Sequence, residues 1–237
     1  MLYLSSDAIS NLAAQTIQKY KEYIDADWEI FKLDPITLAK MWELDVKFVD
    51  LGKESEILGF TAFNDMSIKL TDAYQSEIIL ELSGRTIVIN EALKRGCEGR
   101  LNFTITHEIA HHIIDIVCGV NYSIKFRQLP HFEKPGIRYS MDYDEYIANQ
   151  LAAALLMPDR FVEIVFNKLF QVDRIERIHS ILDKISFKKF CAMAALFGVS
   201  KSALAIRLQK KGMLGEYIFA GYESLLDVYP DEEESVA

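Results

Sequence analysis

Phe103-Thr104-Ile105-Thr106-His107-Glu108-Ile109-Ala110-His111-His112 sets two histidines four residues apart, with a glutamate directly after the first. On an α-helix, positions i and i+4 lie one turn apart on the same face, so His107 and His111 can aim both imidazoles at one metal ion. Glu108 then projects beside that ion, where a carboxylate can take a proton from a zinc-bound water and return it to a leaving amine. The chain has five histidines, and chance yields this spacing in on the order of one chain in a hundred. The plain alternative is an amphipathic helix whose histidines are surface or capping residues. Phe103, Ile105, Ile109, Ala110, Ile113 and Ile114 argue against it: they make the helix apolar around most of its circumference, which buries the histidines and obliges them to find partners.

Two imidazoles are too few for a catalytic zinc, which takes three protein ligands and keeps one position for water. The third is sought in Tyr143-Asp144-Glu145-Tyr146-Ile147-Ala148-Asn149-Gln150-Leu151-Ala152-Ala153-Ala154-Leu155-Leu156-Met157-Pro158. This reads as a helix with acids in its first turn and Pro158 at its stop. Glu145 and Asn149 share a face, and Ala148, Ala152 and Ala153 give a small-residue surface that lets another helix come close. Glu145 is assigned as the ligand. Asn149 is the residue whose amide oxygen can accept a hydrogen bond from the free N–H of a ligating histidine. Asp144 is the rival ligand, but it lies about 100° around the helix, where the helix dipole alone explains an acid. His112, rotated one residue from His111, cannot share the face of His107 and reads as a supporting or surface histidine. His179 reads as solvated or capping. His131 stands near a cleft at best.

Upstream, Asp7 to about Tyr23 shows helical spacing of Ile9, Leu12, Ala13, Ile17 and Tyr20. Asp34-Pro35 opens a second helix to about Leu44, with Asp34 as N-cap and Pro35 in the first helical position. The texture then turns to β-type runs at Val46–Val49, Ile57–Phe63, Ile78–Leu82 and Thr86–Ile89. Ser83-Gly84 between the last two suggests a hairpin, and a small, mostly antiparallel sheet beside the histidine helix is the natural assembly. Residues 119–142 read as an irregular segment with Pro130, His131, Pro135 and Gly136, a candidate wall for a cleft.

A length of 237 residues with 50% hydrophobic content supports one ample core or two small ones. No apolar run approaches the ~20 residues that span a bilayer, and the N-terminus lacks a basic region followed by a cleavable apolar core, so a cytoplasmic protein is expected. Cys97, Cys118 and Cys191 are odd in number and widely spaced, which suits reduced, buried thiols. The formal net charge of −9 argues against a protein that coats nucleic acid through bulk electrostatics. Asp231-Glu232-Glu233-Glu234 marks 226–237 as an acidic tail.

Residues 186–211 carry a reading from a different class. Phe187 to Phe197, the turn Gly198-Val199-Ser200 with Ser200 as N-cap, and Lys201 to Lys210 have the layout of a helix-turn-helix. Lys188, Lys189, Lys201, Arg207, Lys210 and Lys211 stand there without one acid. A DNA-binding regulator or adaptor with a structural metal site could be built on this segment. The alternative, favoured by the net charge and the lack of a second basic cluster, is a helical pair packed on the core that helps grip a protein. A purely structural metal site has no use for Glu108 and is usually closed by four protein ligands.

Thr86-Ile87-Val88-Ile89-Asn90, the segment from Phe103 to His111, and Glu145-Tyr146-Ile147-Ala148-Asn149 running into Ala153-Ala154-Leu155-Leu156-Met157-Pro158 together resemble the ImmA/IrrE family of zinc metallopeptidases, specifically over about 86–158. The resemblance implies an α+β, zincin-like core with a C-terminal helix-turn-helix-like segment. It also implies an intracellular peptidase that cuts helix-turn-helix transcriptional repressors in stress responses, mobile-element induction or phage defence. Carried over by position, His107, His111 and Glu145 would bind zinc and Glu108 would be the general base. For the donor that stabilises the oxyanion, Tyr139, Tyr143 and His131 are the candidates. The expected division is a metallopeptidase domain over 1–160, a helical region over 161–225 and the tail beyond. The expected partner is a protein substrate, with DNA binding not favoured and no membrane.

Overall fold

The computed structural model describes residues 4–51, 57–71, 76–119, 124–128 and 143–218. The chain opens with helix α1 (Ser6–Tyr23), whose buried Ile9, Ala13, Thr16 and Tyr20 form one stripe at helical spacing. Helix α2 (Pro35–Met41) starts as expected at Asp34, whose carboxylate accepts hydrogen bonds from the Ile36 and Thr37 amides, but it stops three residues before Leu44.

Five strands follow: β1 (Asp45–Val49), β2 (Ile57–Ala62), β3 (Met66–Thr71), β4 (Glu77–Leu82) and β5 (Thr86–Asn90). A single 3-10 turn (Glu91–Arg95) leads into helix α3 (Glu98–Cys118), which carries the histidines. Strand β6 (Ile124–Gln128) lies inside the stretch read as irregular and completes a four-stranded sheet in the order β1-β5-β2-β6. Its β1–β5 ladder is parallel, and the β5–β2 and β2–β6 ladders are antiparallel. The Ser83-Gly84 hairpin does not form. Strand β4 pairs instead with β3, a strand the sequence did not suggest, so Ser83-Gly84-Arg85 joins two different sheets. Gly84 is fixed there by crowding, since a Cβ would come within 2.9 Å of the Phe63 carbonyl oxygen.

The last part of the described chain holds α4 (Tyr143–Leu156), α5 (Asp159–Phe170), β7 (Ile175–His179), α6 (Lys184–Phe197), α7 (Lys201–Lys210) and β8 (Leu214–Ile218). Strands β7 and β8 form a two-stranded parallel sheet. Pro158 serves as N-cap of α5 rather than merely ending α4. The three cysteines are free thiols, half-buried rather than fully enclosed. No single helix among the described residues is long and apolar enough to cross a membrane.

Helix α3 is the axis of the molecule. Every residue from Thr104 through Ile114 is buried, because one side meets the sheet and another meets α4. The main core runs without interruption from Ile9 of α1 through Ile109, Leu151 and Phe166 to Phe197, Leu208 and Leu214, so packing continues across residue 160. The opposite face of the sheet covers a smaller core of Phe60, Ala62, Leu82 and Val88 with the β3–β4 pair.

Helices α6 and α7 are bent by 98° across Gly198-Val199-Ser200, and Ser200 accepts the Ala203 amide as the expected N-cap. Gly198 holds φ +64°, a left-handed conformation that costs glycine little. This turn rests on the beginning of α3. The Asn102 side-chain amide donates to the Gly198 carbonyl at 2.9 Å, and a Cβ on Gly99 would fall on the backbone of Val199 and Ser200. Gly99→Ala is therefore expected to destabilise the fold by about 1–3 kcal/mol, the range for overpacking a core contact, and thermal melting checks it. An unchanged melting temperature would mean the turn is free to lift away.

A second tie joins α7 to the start of α5. Arg207 donates to the Met157 carbonyl and to Asp159, while Lys211 pairs with both Asp159 and Glu163 at 2.8 and 2.9 Å. Burial raises the Asp159 carboxyl, but the hydrogen bond from Lys211 and the charges of Arg207 and Lys211 outweigh it and leave the pKa lowered. Burial pushes Arg207 down against the pull of Asp159, yet a guanidinium starts so high that it stays charged. A lowered carboxylate pKa contributes stability that is fully present above the unfolded value, ~3.9, and is lost as pH falls through the folded value. Asp159→Asn is thus expected to cost about 1 kcal/mol at neutral pH, a figure held low by the partly exposed carboxylate. The cost should vanish in strong acid, which urea titrations at a series of pH values would show.

Candidate metal centre

Two helices build the site. The small residues Ala148 and Ala152 are fully buried on α4 and let it lie close against α3. That approach brings Glu145, in the first turn of α4, onto the face of α3 that carries His107 and His111. The Nε2 atoms of the two histidines are 3.1 Å apart, and the Glu145 carboxylate oxygens stand 3.2 Å from each. The rings meet edge to face at 87°. Four donors placed tetrahedrally at zinc–nitrogen distances of 2.0–2.1 Å are about 3.3 Å apart, so the observed separations match those of ligands that share one small cation. Among the described residues this is the group of histidine, cysteine and carboxylate side chains that could hold a metal ion.

The electrostatics agree with the geometry. Burial raises the Glu145 carboxyl, but hydrogen bonding from His107 and His111 and their charges overcome it and hold the group well below the usual carboxylate range. A carboxylate that stays ionised beside two imidazoles is what a divalent cation requires. The site is enclosed rather than superficial, because His107 and His111 are at most 1% exposed.

Glu108 is fully buried, one step around α3 from His107. His112 is rotated away from the cluster and is buried as well, which removes the surface reading. Its ring packs on Phe63 at 4.6 Å. Burial, with the nearby charges of His111 and Arg85, pushes its pKa down to about 4, so the imidazole is neutral. Asp144 is not part of the cluster. Asn149 follows Glu145 one turn later on α4, half-buried. His179 caps a turn, its Nδ1 accepting the Ile181 and Leu182 amides. The Tyr143 hydroxyl donates to the Leu4 carbonyl at 3.3 Å. Tyr139 and His131 lie outside the described residues.

The basic residues of 186–211 are largely engaged within the protein. Besides the ion pairs of Arg207 and Lys211, Lys189 lies over Phe170, Lys201 over Phe187 and Lys210 over Tyr146, beside Glu145 in sequence. Sequence reading missed what this segment does for the centre: through Gly99 and Asn102 it seats the start of α3, and through Asp159 and Met157 it grips the end of α4.

Among curated proteins none matches the chain. A family profile does: that of Peptidase_M78, the IrrE N-terminal-like domain, matches residues 59–209, a span that holds most of β2, all of α3 and α4, and the three donors. With the match extending over more than half of its 237 residues, the chain belongs to the Peptidase_M78 family of IrrE N-terminal-like domains and carries a metallopeptidase domain of the IrrE/ImmA type.

Proposed function

We propose that the protein is a cytoplasmic, zinc-dependent endopeptidase that cuts a helix-turn-helix transcriptional repressor and so relieves repression. The observation that carries this reading is the triad of His107, His111 and Glu145 with 3.1–3.2 Å between donor atoms, next to a carboxylate that is not needed as a ligand. Two neutral imidazoles and one carboxylate form the donor set of hydrolytic zinc sites, which keep a position open for water. When bound, zinc supplies Lewis acidity that acidifies a coordinated water and polarises the scissile carbonyl.

The remaining work falls to the chain. Glu108 accepts the proton of the attacking water at its carboxylate as the new C–O bond forms. It then hands that proton to the amide nitrogen as the C–N bond breaks, leaving one carboxylate and one amine product. A repressor as substrate is supported by the family to which the chain belongs and by the resemblance in the sequence, not by a contact within the site. The internal use of the basic residues around α6 and α7 supports packing over DNA binding for that segment.

The test is incubation of the purified, zinc-loaded protein with the repressors encoded beside it, with fragments read by mass. One repressor should be cut at a single internal bond, chelation should stop the cleavage, and added zinc should restore it. If every repressor stays intact while a zinc-dependent cut appears in an unrelated protein, the substrate assignment fails and the reaction class stands.

A further inference from the structure

Two hydroxyl groups in the core have no partner among the described residues, although each belongs to a residue at most 1% exposed: Thr61 Oγ1 on β2 and Thr104 Oγ1 on α3. A buried donor left unpaired is costly, and valine would fill either place without that cost. The contrast with Thr106 is instructive. Two residues further along the same helix, its hydroxyl donates to the Asn102 carbonyl at 2.8 Å, the ordinary outlet for a helical threonine, while Thr104 does not use its own helix in this way.

Their positions converge on one group. On β2, Phe60 and Ala62 enter the smaller core on the far face, so Gly59 and Thr61 point to the α3 side. There their neighbours on β5 are Ile89 and Ile87, both apolar. Two contacts fix the alignment of strand and helix: a Cβ on Gly59 would come within 3.3 Å of Thr104 Cγ2, and Phe63 packs on His112 at 4.6 Å. Four residues of strand and eight residues of helix both advance about 12–13 Å. Midway between the two contacts, Thr61 on the strand therefore falls opposite Glu108 on the helix. Thr104 stands on that stripe too, one turn before Glu108.

We propose that Thr61 and Thr104 are positioning residues for Glu108, their hydroxyls donating to ordered water that in turn donates to its carboxylate and holds it in the orientation that receives a proton. This rests on the reading of Glu108 as the general base. A carboxylate held in this way keeps its remaining lone pairs aimed at the reacting water, and the apolar surroundings of Ile87 and Ile89 make each bond of the bridge stronger than it would be in solvent.

The first test needs no substrate. In a crystal structure of the zinc-loaded protein, both hydroxyl oxygens should lie within hydrogen-bond distance of an ordered water that also bonds a Glu108 carboxylate oxygen, and hydroxyls paired elsewhere overturn the proposal. The second uses a fluorescence-quenched peptide spanning the mapped cut site. Thr61→Val and Thr104→Val should each lower kcat by about tenfold, the loss expected for a hydrogen bond to a charged group. KM, zinc content and melting temperature should stay unchanged, and Thr61→Ser and Thr104→Ser should restore the rate. Hydroxyls with a merely structural role would give valine variants with wild-type kcat and a higher melting temperature. Glu108→Gln separates the two readings: if it still cleaves the peptide, the general-base assignment fails. If it is inactive while both valine variants turn over normally, only the positioning role fails.

Discussion

Glu108→Gln is expected to lower kcat on the cleaved repressor by on the order of a thousandfold, within the range for loss of a general base, while zinc content stays at that of the wild type. Both halves of this result follow from where the residue sits. Glu108 shares its helix with His107 and His111 but stands about 100° around from His107, so its amide isostere leaves the imidazoles and Glu145 untouched. The buried environment also suits the exchange. Glutamine fills the same volume, and a neutral group costs less to enclose at a fully buried position than a carboxylate does. What disappears is basicity, and with it the acceptor for the water proton. Kinetics paired with metal analysis by atomic emission makes the measurement, and a variant that binds zinc and still cleaves at the normal rate would remove Glu108 from the mechanism.

Glu145→Ala should have the opposite signature, with affinity for zinc lower by about a hundredfold or more and activity lost in proportion to bound metal. Removing one of three protein ligands leaves two imidazoles, a set below that of catalytic zinc sites. One Glu145 oxygen lies 3.2 Å from His107 Nε2 and the other 3.2 Å from His111 Nε2, and among the described residues no other such side chain joins the cluster to substitute. Asp144→Ala is the matched control, one residue away on the same turn and outside the cluster, and should retain its zinc. Metal content after dialysis against a weak chelator distinguishes the two variants. Loss of zinc from Asp144→Ala with retention in Glu145→Ala would transfer the third ligand to Asp144.

The centre was legible because its information is local. The spacing of His107 and His111 fixes two donors on one face, and the acid-rich start and small residues of α4 say which helix can come close enough to add a third. The caps at Asp34 and Ser200 could be read for the same reason, since each is a side chain answering its own backbone. The strands were harder. Ile175–His179 and Leu214–Ile218 are short, partly charged and paired in parallel across nearly forty residues, so neither shows the alternation that marks a strand. Ser83-Gly84 looks like a hairpin turn by composition, yet the choice of partner for β4 is made by Met66–Thr71, which pairs with it along its full length. Thr61 was invisible as a candidate, because a threonine in a β-run is an ordinary strand residue until the helix opposite is known.

The hydrogen bond from Asn102 to Gly198 closes a span of 96 residues. During synthesis the histidines leave the ribosome long before Gly198 and Ser200, whose turn seats the start of their helix. A contact so distant in sequence forms late, since the closure of a long loop must precede any gain from it. The nascent chain therefore carries its histidines on a helix whose start stays unseated until the turn at Gly198 has emerged.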